Sequence, residues 1–571
     1  MDRTNETHVI IEKAAKSINA ACIVLVKVVL IAVLLLLLFA PTANAQGGID
    51  SLEFITIKGY QPTIANTVKL SEQPSFKDST KKIIVPPYVI TPKKVNTVFV
   101  LEEIKPAKMV GEPLTKLYRS MLKVGAGNYA TSYAEYLYSN LRSREVNYGL
   151  HMKHFSSQAT LKNYGFSGLS TNSIDIFGKK FLAKHTISGN FLYDRNVVHH
   201  YGYDTEKHNL SKNAQKQVFN YLNPVARIVS HIKDSSKINY DITLQHHFFR
   251  DIYEAKENNF SASGILTTYY DHQLITLNSG VDFYANSMPT DTFNNTIIKL
   301  NPSIKSGGKT WEGELGVSVF TDISQEATIF KFYPSINFHY HVIDDIFIAY
   351  TGFTGGLSRN SFRTLAFENN FITPNLTLKN TDNVFNAFLG IKGSVSTKDA
   401  YNLHATYSRY RNMALFSVDT TEILYNKFNT VYDDVMVLDV TGEFQYQTTE
   451  KMKIISKASF FNYQTTTESN TWYKPNVQVS AGVNYNLRDK IVAKADLFYV
   501  GKRSAQQFAN SKLEPITLQS FVDVNIGAEY KYSKLISAYV NFNNLSATRY
   551  LRWNNYPTQR FNLLVGASIA F

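Results

Sequence analysis

The end of the chain, from Arg560 to Phe571, alternates between apolar side chains and side chains that are mostly small or polar. The apolar set is Phe561, Leu563, Val565, Ala567, Ile569 and Phe571. Successive side chains of a β-strand point to opposite faces, so this set forms one wholly apolar face. Such a strand suits the closing strand of an outer-membrane β-barrel, which has lipid on one side and its lumen on the other. The alternative is an ordinary terminal strand of a β-sandwich.

The same alternation recurs upstream, as in Val522–Tyr532 and Ile536–Phe542, which flank the polar turn Ser533-Lys534. The second face of these strands and of their neighbours carries charge, for example Lys494, Asp496, Asp523 and Glu529. A dry core excludes such unpaired charge, whereas a wet lumen accepts it. Sandwich strands most often have about five or six residues. Strands of about ten residues, tilted near 45°, span the roughly 25 Å apolar band of an outer membrane. The sequence therefore predicts a barrel.

Short turns and long loops alternate along the chain. The short polar turns are Ser143–Glu145, Ala183-Lys184, Lys233–Ser235, Asp271-His272, Gly307–Lys309, Asp344-Asp345, Lys398-Asp399, Glu450-Lys451, Arg488-Asp489 and Ser533-Lys534. The long polar stretches are Asn196–Lys216, Ser358–Lys379, Asn412–Thr430, Lys502–Leu518 and Leu551–Gln559. Outer-membrane barrels have short periplasmic turns and longer outer loops. The pattern predicts an all-β, antiparallel up-and-down transmembrane barrel of about 22 strands over residues 115–571.

The N-terminal residues predict export from the cytoplasm. The apolar run Ile23–Ala40 follows Lys13 and Lys16 and precedes the small-residue sequence Ala43-Asn44-Ala45. This arrangement indicates a signal peptide over residues 1–45, cleaved near Ala45, with an uncleaved anchor as the alternative. The only cysteine of the chain, Cys22, would be lost with the signal peptide, so no disulfide is expected. The predicted location is the outer membrane of a Gram-negative cell.

Residues 46–114 differ in composition from the rest of the chain, because they hold seven of its 16 prolines, namely Pro62, Pro74, Pro86, Pro87, Pro92, Pro106 and Pro113. Proline cannot donate to a strand ladder, so a mostly extended periplasmic segment is expected. The net charge of +13 is spread singly or in pairs along the chain. Nucleic-acid binding would require a clustered basic stripe, so no nucleic-acid partner is expected. A basic lumen or rim that attracts anions is compatible with this charge.

Several stretches resemble the TonB-dependent receptor family. Asn541–Leu545, followed by Ala547, Arg549 and Tyr550, is similar to the family's penultimate strand, and Thr373–Lys379 resembles a stretch that opens a mid-barrel strand. Gly566, Ile569 and Phe571 resemble the C-terminal signal by which the barrel-insertion machinery recognises its substrates. One N-terminal stretch is similar to a TonB box, the segment that pairs with TonB: Leu52, Glu53, Phe54, Ile55, Thr56 and Ile57.

The resemblance implies a receptor or transport channel, with membrane lipid, the insertion machinery and a TonB-type or other periplasmic or outer-membrane protein as partners. Family members carry a plug domain of well over a hundred residues before the first strand. Here roughly 55 residues separate Tyr60 from Thr115, which is too few for such a domain. We therefore expect a plug-deficient channel for an unidentified ligand. The alternative is a non-transporting scaffold barrel that docks partner proteins of an outer-membrane complex.

Catalytic motifs are missing from the sequence: it contains neither G-x-S-x-G nor H-E-x-x-H, so an enzyme is not expected. His339 and His341 share the inward phase of one predicted strand and are weak metal candidates, as are His199-His200 and His246-His247. Our interpretation is lumen-lining histidines without a metal or cofactor, because further ligands cannot be assigned.

Two other groups of residues, one acidic and one aromatic, are explained by their position in the barrel without a ligand site. Acidic residues in or beside one outer loop could hold calcium, but their spacing is irregular and a solvated loop is expected: Asp419, Glu422, Asp433 and Asp434. Three tyrosines near one strand suit the aromatic girdle at a membrane interface: Tyr133, Tyr136 and Tyr138.

Overall fold

The computed structural model describes residues 117–571, apart from residues 142, 235–236 and 450. The predicted signal peptide, the proline-rich segment 46–114 and the TonB-box-like stretch Leu52–Ile57 lie outside the described residues. Among the described residues, no helix has the length and apolar character needed to cross a membrane.

One antiparallel sheet of 22 strands forms the body of the molecule, and its first and last strands pair to close it. Numbered with all other strands in chain order, the barrel strands are β1 (Ser120–Gly127), β2 (Thr131–Ser139), β3 (Val146–Ser157), β4 (Leu169–Phe181), β5 (His185–His199), β6 (Lys216–Ser230), β7 (Asn239–Arg250), β8 (Lys256–Tyr270), β9 (Gln273–Ser287), β10 (Thr292–Gly307), β11 (Trp311–Ser324), β12 (Thr328–Ile343), β13 (Phe347–Ser358), β14 (Thr381–Gly393), β15 (Asp399–Val418), β16 (Phe428–Thr449), β17 (Met452–Thr465), β18 (Val477–Leu487), β19 (Ile491–Val500), β22 (Phe521–Lys531), β23 (Ile536–Asn543) and β26 (Asn562–Ala570).

The remaining elements belong to the loops. They are the hairpins β20 (Arg503–Ala509) with β21 (Lys512–Leu518) and β24 (Leu551–Trp553) with β25 (Tyr556–Pro557), and the helix α1 (Phe362–Glu368). The stretches 502–518 and 551–559 were expected to be plain loops, but each holds a hairpin. Both hairpins pack into a common hydrophobic cluster at the barrel mouth, which stabilises strands too short to stand alone.

The predicted strand number is confirmed, and each of the ten predicted short turns falls between two consecutive barrel strands, although Ser235 and Glu450 lie outside the described residues. Each short turn joins two neighbouring barrel strands at the same end of the barrel as the C-terminus. The longer connections lie at the opposite end, which we call the outer end because outer-membrane barrels carry their long loops outside the cell.

Side-chain exposure follows the predicted alternation. On β12, Phe332 is 68% exposed, whereas its neighbour Tyr333 is 4% exposed. On the closing strand, Val565, Ile569 and Phe571 are exposed and Leu564 is buried. The outward set of apolar side chains forms the lipid-facing belt that a membrane barrel requires.

The inward face of the wall carries cross-strand ion pairs. The pairs are Arg227 with Asp241, Lys305 with Glu312 at 2.8 Å, and Lys457 with Glu443 at 2.9 Å. Opposite charges at directly or diagonally facing positions stabilise a sheet modestly, by roughly 0.2–1 kcal/mol per pair. The inward face is therefore polar and carries charge, as the sequence predicted.

Tyr539 braces the seam where the first and last strands meet. Its hydroxyl donates to the carbonyl oxygen of Val124 on β1 at 3.1 Å, and the ammonium group of Lys123 lies 4.3 Å from its ring centroid. Gly125 on β1 and Gly566 on β26 face each other across the seam beneath this ring. A Cβ atom on either glycine would overlap the tyrosine. Gly566 therefore has a packing role in addition to its predicted role in the assembly signal.

The Gly566→Val variant should lose most of its folded barrel, because its Cβ atom would overlap both the backbone carbonyl oxygen of Val124 on β1 and the ring of Tyr539. Overpacking of this kind costs roughly 1–3 kcal/mol. Heat-modifiability on gels of outer-membrane fractions measures the folded fraction. Gly189→Val is the matched control, since only one atom lies within 4 Å of the Cβ position at Gly189. Equal folding of the two variants would contradict the packing role of Gly566.

Candidate functional site

The outer loops pack together into one hydrophobic cluster, which we call the cap. Its buried residues come from the outer ends of barrel strands, from α1, from the loop between β17 and β18 and from both loop hairpins. The central members are Phe362, Leu365, Ile372, Leu415, Phe416, Val418, Phe428, Trp472, Tyr473, Ala505, Leu518, Trp553 and Tyr556. A cluster of this size stabilises the loops in one arrangement, since each buried large side chain contributes about 1.5–3 kcal/mol.

Hydrogen bonds in the cap join opposite sides of the barrel mouth. Asn426, in the loop between β15 and β16, donates its side-chain amide to the carbonyl oxygen of His200 at 2.7 Å. His200 belongs to the loop between β5 and β6, on nearly the opposite side of the 22-stranded sheet. Tyr556 donates its hydroxyl to the carbonyl oxygen of Asn426, and Tyr201 donates to the carbonyl oxygen of Pro557 at 2.9 Å. The loops thus span the mouth.

Aromatic rings fill the centre of the cap. The rings of Phe371 and Tyr556 stack with centroids 3.7 Å apart, and Tyr201 meets Tyr556 edge-on at 4.9 Å. Trp553 lies 4.8 Å from Tyr473 and 5.5 Å from Phe428 between ring centroids. Aromatic pairs of this geometry add about 0.5–1.5 kcal/mol each beyond the burial of their area. Together, Trp553 and Tyr556 contact the loops after β5, β13, β15 and β17.

The hairpin of β15 and β16 extends beyond the barrel wall and contributes its outer end to the cap. Its strands have 20 and 22 residues, more than the membrane requires. A bulge between Tyr410 and Met413, where Asn412 has a φ of 53°, interrupts the strand pairing. Beyond the bulge, both faces of the hairpin are buried from Leu415 to Val418. A bulge bends a strand, so the end of the hairpin leans into the cap. The predicted loop Asn412–Thr430 is therefore wrong in extent, because strand pairing continues to Val418 and resumes at Phe428.

The segment around α1 is held against the barrel wall by two arginines. The guanidinium of Arg359 lies 3.9 Å from the ring centroid of Tyr284, and that of Arg363 lies 4.0 Å from the ring centroid of Tyr221. The backbone N–H of Arg363 also donates to the buried carboxylate of Glu257. Desolvated cation–π contacts are worth about 2 kcal/mol each, so this side of the cap is firmly attached.

Burial controls the charge of the imidazole inside the cap. It lowers the pKa of His200 to about 3, and the nearby Lys427 ammonium acts in the same direction. His200 is therefore neutral at physiological pH. Its position next to Asn426 makes it part of the packing between opposite loops.

A cavity of about 740 Å³ lies above the cap, and we call it the groove. It is lined by the loops after β3, β5, β15 and β23 and by the hairpin of β20 and β21. Two of its lining residues, Tyr425 and Phe508, stack with ring centroids 4.4 Å apart. Its cationic lining residues are Lys162, Lys207 and Arg549, and its only acidic lining residue is Asp204. Within the described part of the chain, only Lys207 of these three forms an ion pair, at 3.8 Å from Asp204.

The groove suits a ligand that is negatively charged and contains a flat ring system. Cations and stacked aromatic rings in one lining offer charge complementarity together with a stacking surface. The groove also touches both sides of the cross-mouth contact, because Tyr425 adjoins Asn426 and Gly202 packs against Tyr556. No sequence pattern points to this site, since its residues come from loops that are distant along the chain.

The histidines proposed as weak metal ligands do not form a metal site in the described residues. His339 and His341 lie on the inward face of β12, as predicted, and His341 is 3.9 Å from Asp344. His247 hydrogen-bonds Glu257, and His199 hydrogen-bonds the carbonyl oxygen of Gly168. Among residues 117–571, outside the undescribed gaps, no group of three or more potential ligands is close enough to hold a metal.

The acidic residues considered for calcium are engaged separately. Asp419 accepts from the backbone N–H of Thr421, and Glu422 pairs with Lys427 at 2.7 Å. Asp433 accepts from three successive backbone N–H groups at the start of the loop after β17, namely Thr466, Thr467 and Glu468. These carboxylates fix loop ends and do not share a common ligand position.

Tyr133 departs from the predicted aromatic girdle. Its hydroxyl donates to Glu135 at 2.7 Å, and Glu135 also hydrogen-bonds His151. Residues two apart on a strand share a face, so Tyr133 belongs to the lumen. Tyr136 and Tyr138 lie on the opposite face, where a girdle residue is expected.

Comparisons with protein families and with curated proteins find no match. Comparison with solved structures finds outer-membrane receptors. The ferripyoverdine receptor of the Pseudomonas aeruginosa outer membrane aligns with a TM-score of 0.61 and 12% identity, over 81% of this chain and 72% of that one. The FrpB iron transporter from Neisseria meningitidis aligns with a TM-score of 0.62 and 11% identity, over 80% and 82% of the two chains.

The siderophore receptor PirA from Acinetobacter baumannii aligns with a TM-score of 0.61 and 11% identity, over 81% of each chain. Identities this low establish a common fold and leave the ligand open. Each alignment covers about four fifths of this chain, whose described residues form the closed 22-stranded barrel. The chain therefore has the 22-stranded barrel fold of TonB-dependent outer-membrane receptors.

Proposed function

We propose that this protein is an outer-membrane receptor and transport barrel, and that its cap is a closed outer gate. The observation that carries the proposal is the contact between Asn426 and His200, which joins loops from nearly opposite sides of the mouth. Binding of a ligand in the groove would disturb the residues on which this contact depends. The gate would then open and admit the ligand to the polar lumen.

A gate is needed because of the size of the barrel. Barrels of 16–18 strands already leave an aqueous channel, and a 22-stranded barrel is wider. An open lumen of this width would leak small solutes across the outer membrane. The cap is one barrier. The proline-rich segment 46–114 is proposed as a second barrier or as the attachment point for a partner, with Leu52–Ile57 as a TonB-type pairing strand.

The groove favours an anionic ligand with a conjugated ring system. The similar structures include a ferripyoverdine receptor, a siderophore receptor and an iron transporter, so iron chelates are the first ligands to test. We propose that Lys162 and Arg549 contact the negative charge and that Tyr425 and Phe508 contact the ring system. We also propose that the channel is plug-deficient, because only roughly 55 residues separate the TonB-box-like stretch, which ends near Tyr60, from Thr115.

The dense packing of the cap also favours a second function. A permanently closed barrel would serve as a scaffold whose outer loops and periplasmic segment dock other proteins. The two functions differ in one respect, since a scaffold has no reason to bind a small anion above its cap.

Binding of ferripyoverdine to the purified full-length protein tests the proposal. We expect saturable binding by calorimetry and an affinity at least about tenfold lower for the Lys162→Glu/Arg549→Glu variant, since each lost charge contact is worth more than about 1 kcal/mol. Lys212→Glu is the control, because Lys212 lies in the loop after β5, against Phe166 and outside the groove lining.

Three results would separate the functions. If the charge-reversed variant binds ferripyoverdine as tightly as the wild type, the groove is not the binding site. A failure to bind this and other anionic iron chelates, together with proteins that co-purify in mild detergent, would favour the scaffold. If the protein binds the chelate but liposomes that contain the protein do not take the chelate up, the protein is a receptor that does not transport its ligand.

A further inference from the structure

One row of polar and basic side chains crosses the outward face of the barrel near its outer end. Register pairs place its members side by side on six consecutive strands, from β3 to β8. In order, the row is His154, Asn172, Arg195, Asn220, Arg250 and Lys256, and we call it the basic row. Adjacent strands lie about 4.8 Å apart, so the row is about 24 Å long.

The basic row faces the membrane. On each of these strands the members share a phase with exposed apolar residues, such as Met152 on β3, Ile176 on β4, Ile187 on β5, Leu244 on β7 and Phe260 on β8. Residues separated by an even number of positions share a strand face. The row therefore points away from the lumen and belongs to the lipid-facing surface.

The row lies at the outer boundary of the apolar belt. One step closer to the short turns, the paired outward residue is apolar or aromatic on five of the six strands, namely Met152, Ile174, Tyr193, Leu222 and Phe248, and on β8 it is Asn258. Tyr193 donates its hydroxyl to Asn220 at 3.1 Å, which is the orientation expected of an interfacial tyrosine. On these five strands the change from apolar to polar or basic occurs within two residues, so the row borders the apolar belt on its outer side.

The cations of the row lack protein counter-charges. Within the described residues, Arg195, Arg250 and Lys256 take part in no ion pair, and His154 hydrogen-bonds Asn172 at 2.7 Å. Arg250 and Lys256 face each other directly across β7 and β8. Like charges at facing positions are destabilising, and more so beside an apolar belt, unless an anion lies between them. The arrangement therefore calls for anions from outside the protein.

We propose that the basic row binds the phosphate groups of an anionic lipid in the outer leaflet. Arginine offers paired donors that match phosphate geometry, and lysine adds a compact charge. The apolar residues beneath the row would contact the acyl chains of the same lipid, so one molecule satisfies both surfaces. Basic surfaces beside membrane spans recognise lipid phosphates in this way. The inference requires the outer-membrane location but not transport.

The test compares three forms of the purified full-length protein in detergent: wild type, the row variant Arg195→Gln/Arg250→Gln/Lys256→Gln, and a control. The control Lys162→Gln/Lys207→Gln/Arg549→Gln removes the same charge from the groove above the membrane. Native mass spectrometry measures binding of doubly phosphorylated lipid A, with dephosphorylated lipid A alongside. Heat-modifiability checks that each variant is folded.

We expect wild type and control to bind the phosphorylated lipid equally and the row variant to bind about a hundredfold more weakly, since each surface cation contributes roughly tenfold or less. The dephosphorylated lipid should bind weakly to all three. Equal lipid binding by the row variant, or equal binding of both lipids, would overturn the proposal. Full competition by millimolar inorganic phosphate would also overturn it, because the site would then be a simple anion site. Failure of ferripyoverdine binding would leave this result unaffected.

Discussion

Replacing Trp553 and Tyr556 with alanine should open the outer mouth of the barrel. These two residues join the hairpin of β24 and β25 to the loops from the rest of the rim. Each truncation of a buried aromatic residue costs roughly 3–5 kcal/mol. The lost free energy destabilises the cap and not the barrel wall, because the wall is held by the hydrogen bonds of its own closed sheet. We expect the wall to fold normally while the loops separate.

Single-channel recordings in planar bilayers measure the opening. Each protein is recorded with and without residues 46–114, since that segment is proposed as a second barrier. The matched control is Trp311→Ala/Tyr340→Ala, which removes the same residue types from a lipid-facing pair outside the cap. We expect wild type and control to conduct little, and the cap variant to conduct several-fold more, at least once residues 46–114 are deleted.

The outcomes separate the barriers. Conductance that rises in the cap variant alone would make the cap the main barrier. Conductance that rises only when the segment is also deleted would make residues 46–114 a minimal plug. A cap variant that stays closed even without the segment would contradict the proposed gate. High conductance of the wild type would make the protein a plain pore.

The sequence predicted the barrel wall well because the wall obeys a local rule. Lipid on one side and water on the other impose a period of two on every strand, and this period is visible in any short stretch such as Val522–Tyr532. Turns interrupt the period at recognisable polar residues. Strand number and turn positions therefore follow from local patterns alone.

The cap could not be predicted in the same way. Asn426 and His200 meet only because the closed barrel brings opposite loops together, and no local pattern encodes that contact. The stretch Asn412–Thr430 was expected to be a loop, since polar residues and a break in alternation usually mark one. Here the break is a bulge at Asn412, beyond which the strands continue with both faces buried.

Tyr133 illustrates a related limit. Aromatic residues near strand ends occur both in membrane girdles and in lumen networks, and only the pairing of Tyr133 with Glu135 separates the two. The groove shares this limit, because Lys162, Tyr425 and Arg549 converge from three separate loops. Sites that are built from loops depend on tertiary contacts that the alternation of the wall does not determine.

Cysteine labelling on intact cells should give an all-or-none test of the orientation on which the gate and the basic row depend. Ile423, at the tip of the hairpin of β15 and β16, is 80% exposed, so Ile423→Cys should react fully with a membrane-impermeant maleimide. Asp489→Cys and Lys534→Cys lie in short turns and should react only after the outer membrane is permeabilised. The predicted removal of Cys22 leaves no native thiol in the mature chain. If intact cells label the two turn positions but not Ile423→Cys, the assigned orientation is wrong and the short turns lie outside the cell.

Ala505→Cys extends this experiment from orientation to the cap. Ala505 lies at the outer end but is fully buried in the cap, and cysteine is a close fit to its volume. In the otherwise wild-type protein this thiol should react far more slowly than Ile423→Cys, because the reagent reaches it only when the loops separate. Combined with Trp553→Ala/Tyr556→Ala, it should react at a rate close to that of Ile423→Cys. Fast reaction of Ala505→Cys without those substitutions would mean that the cap is open at rest, and the barrier would then have to lie elsewhere in the chain.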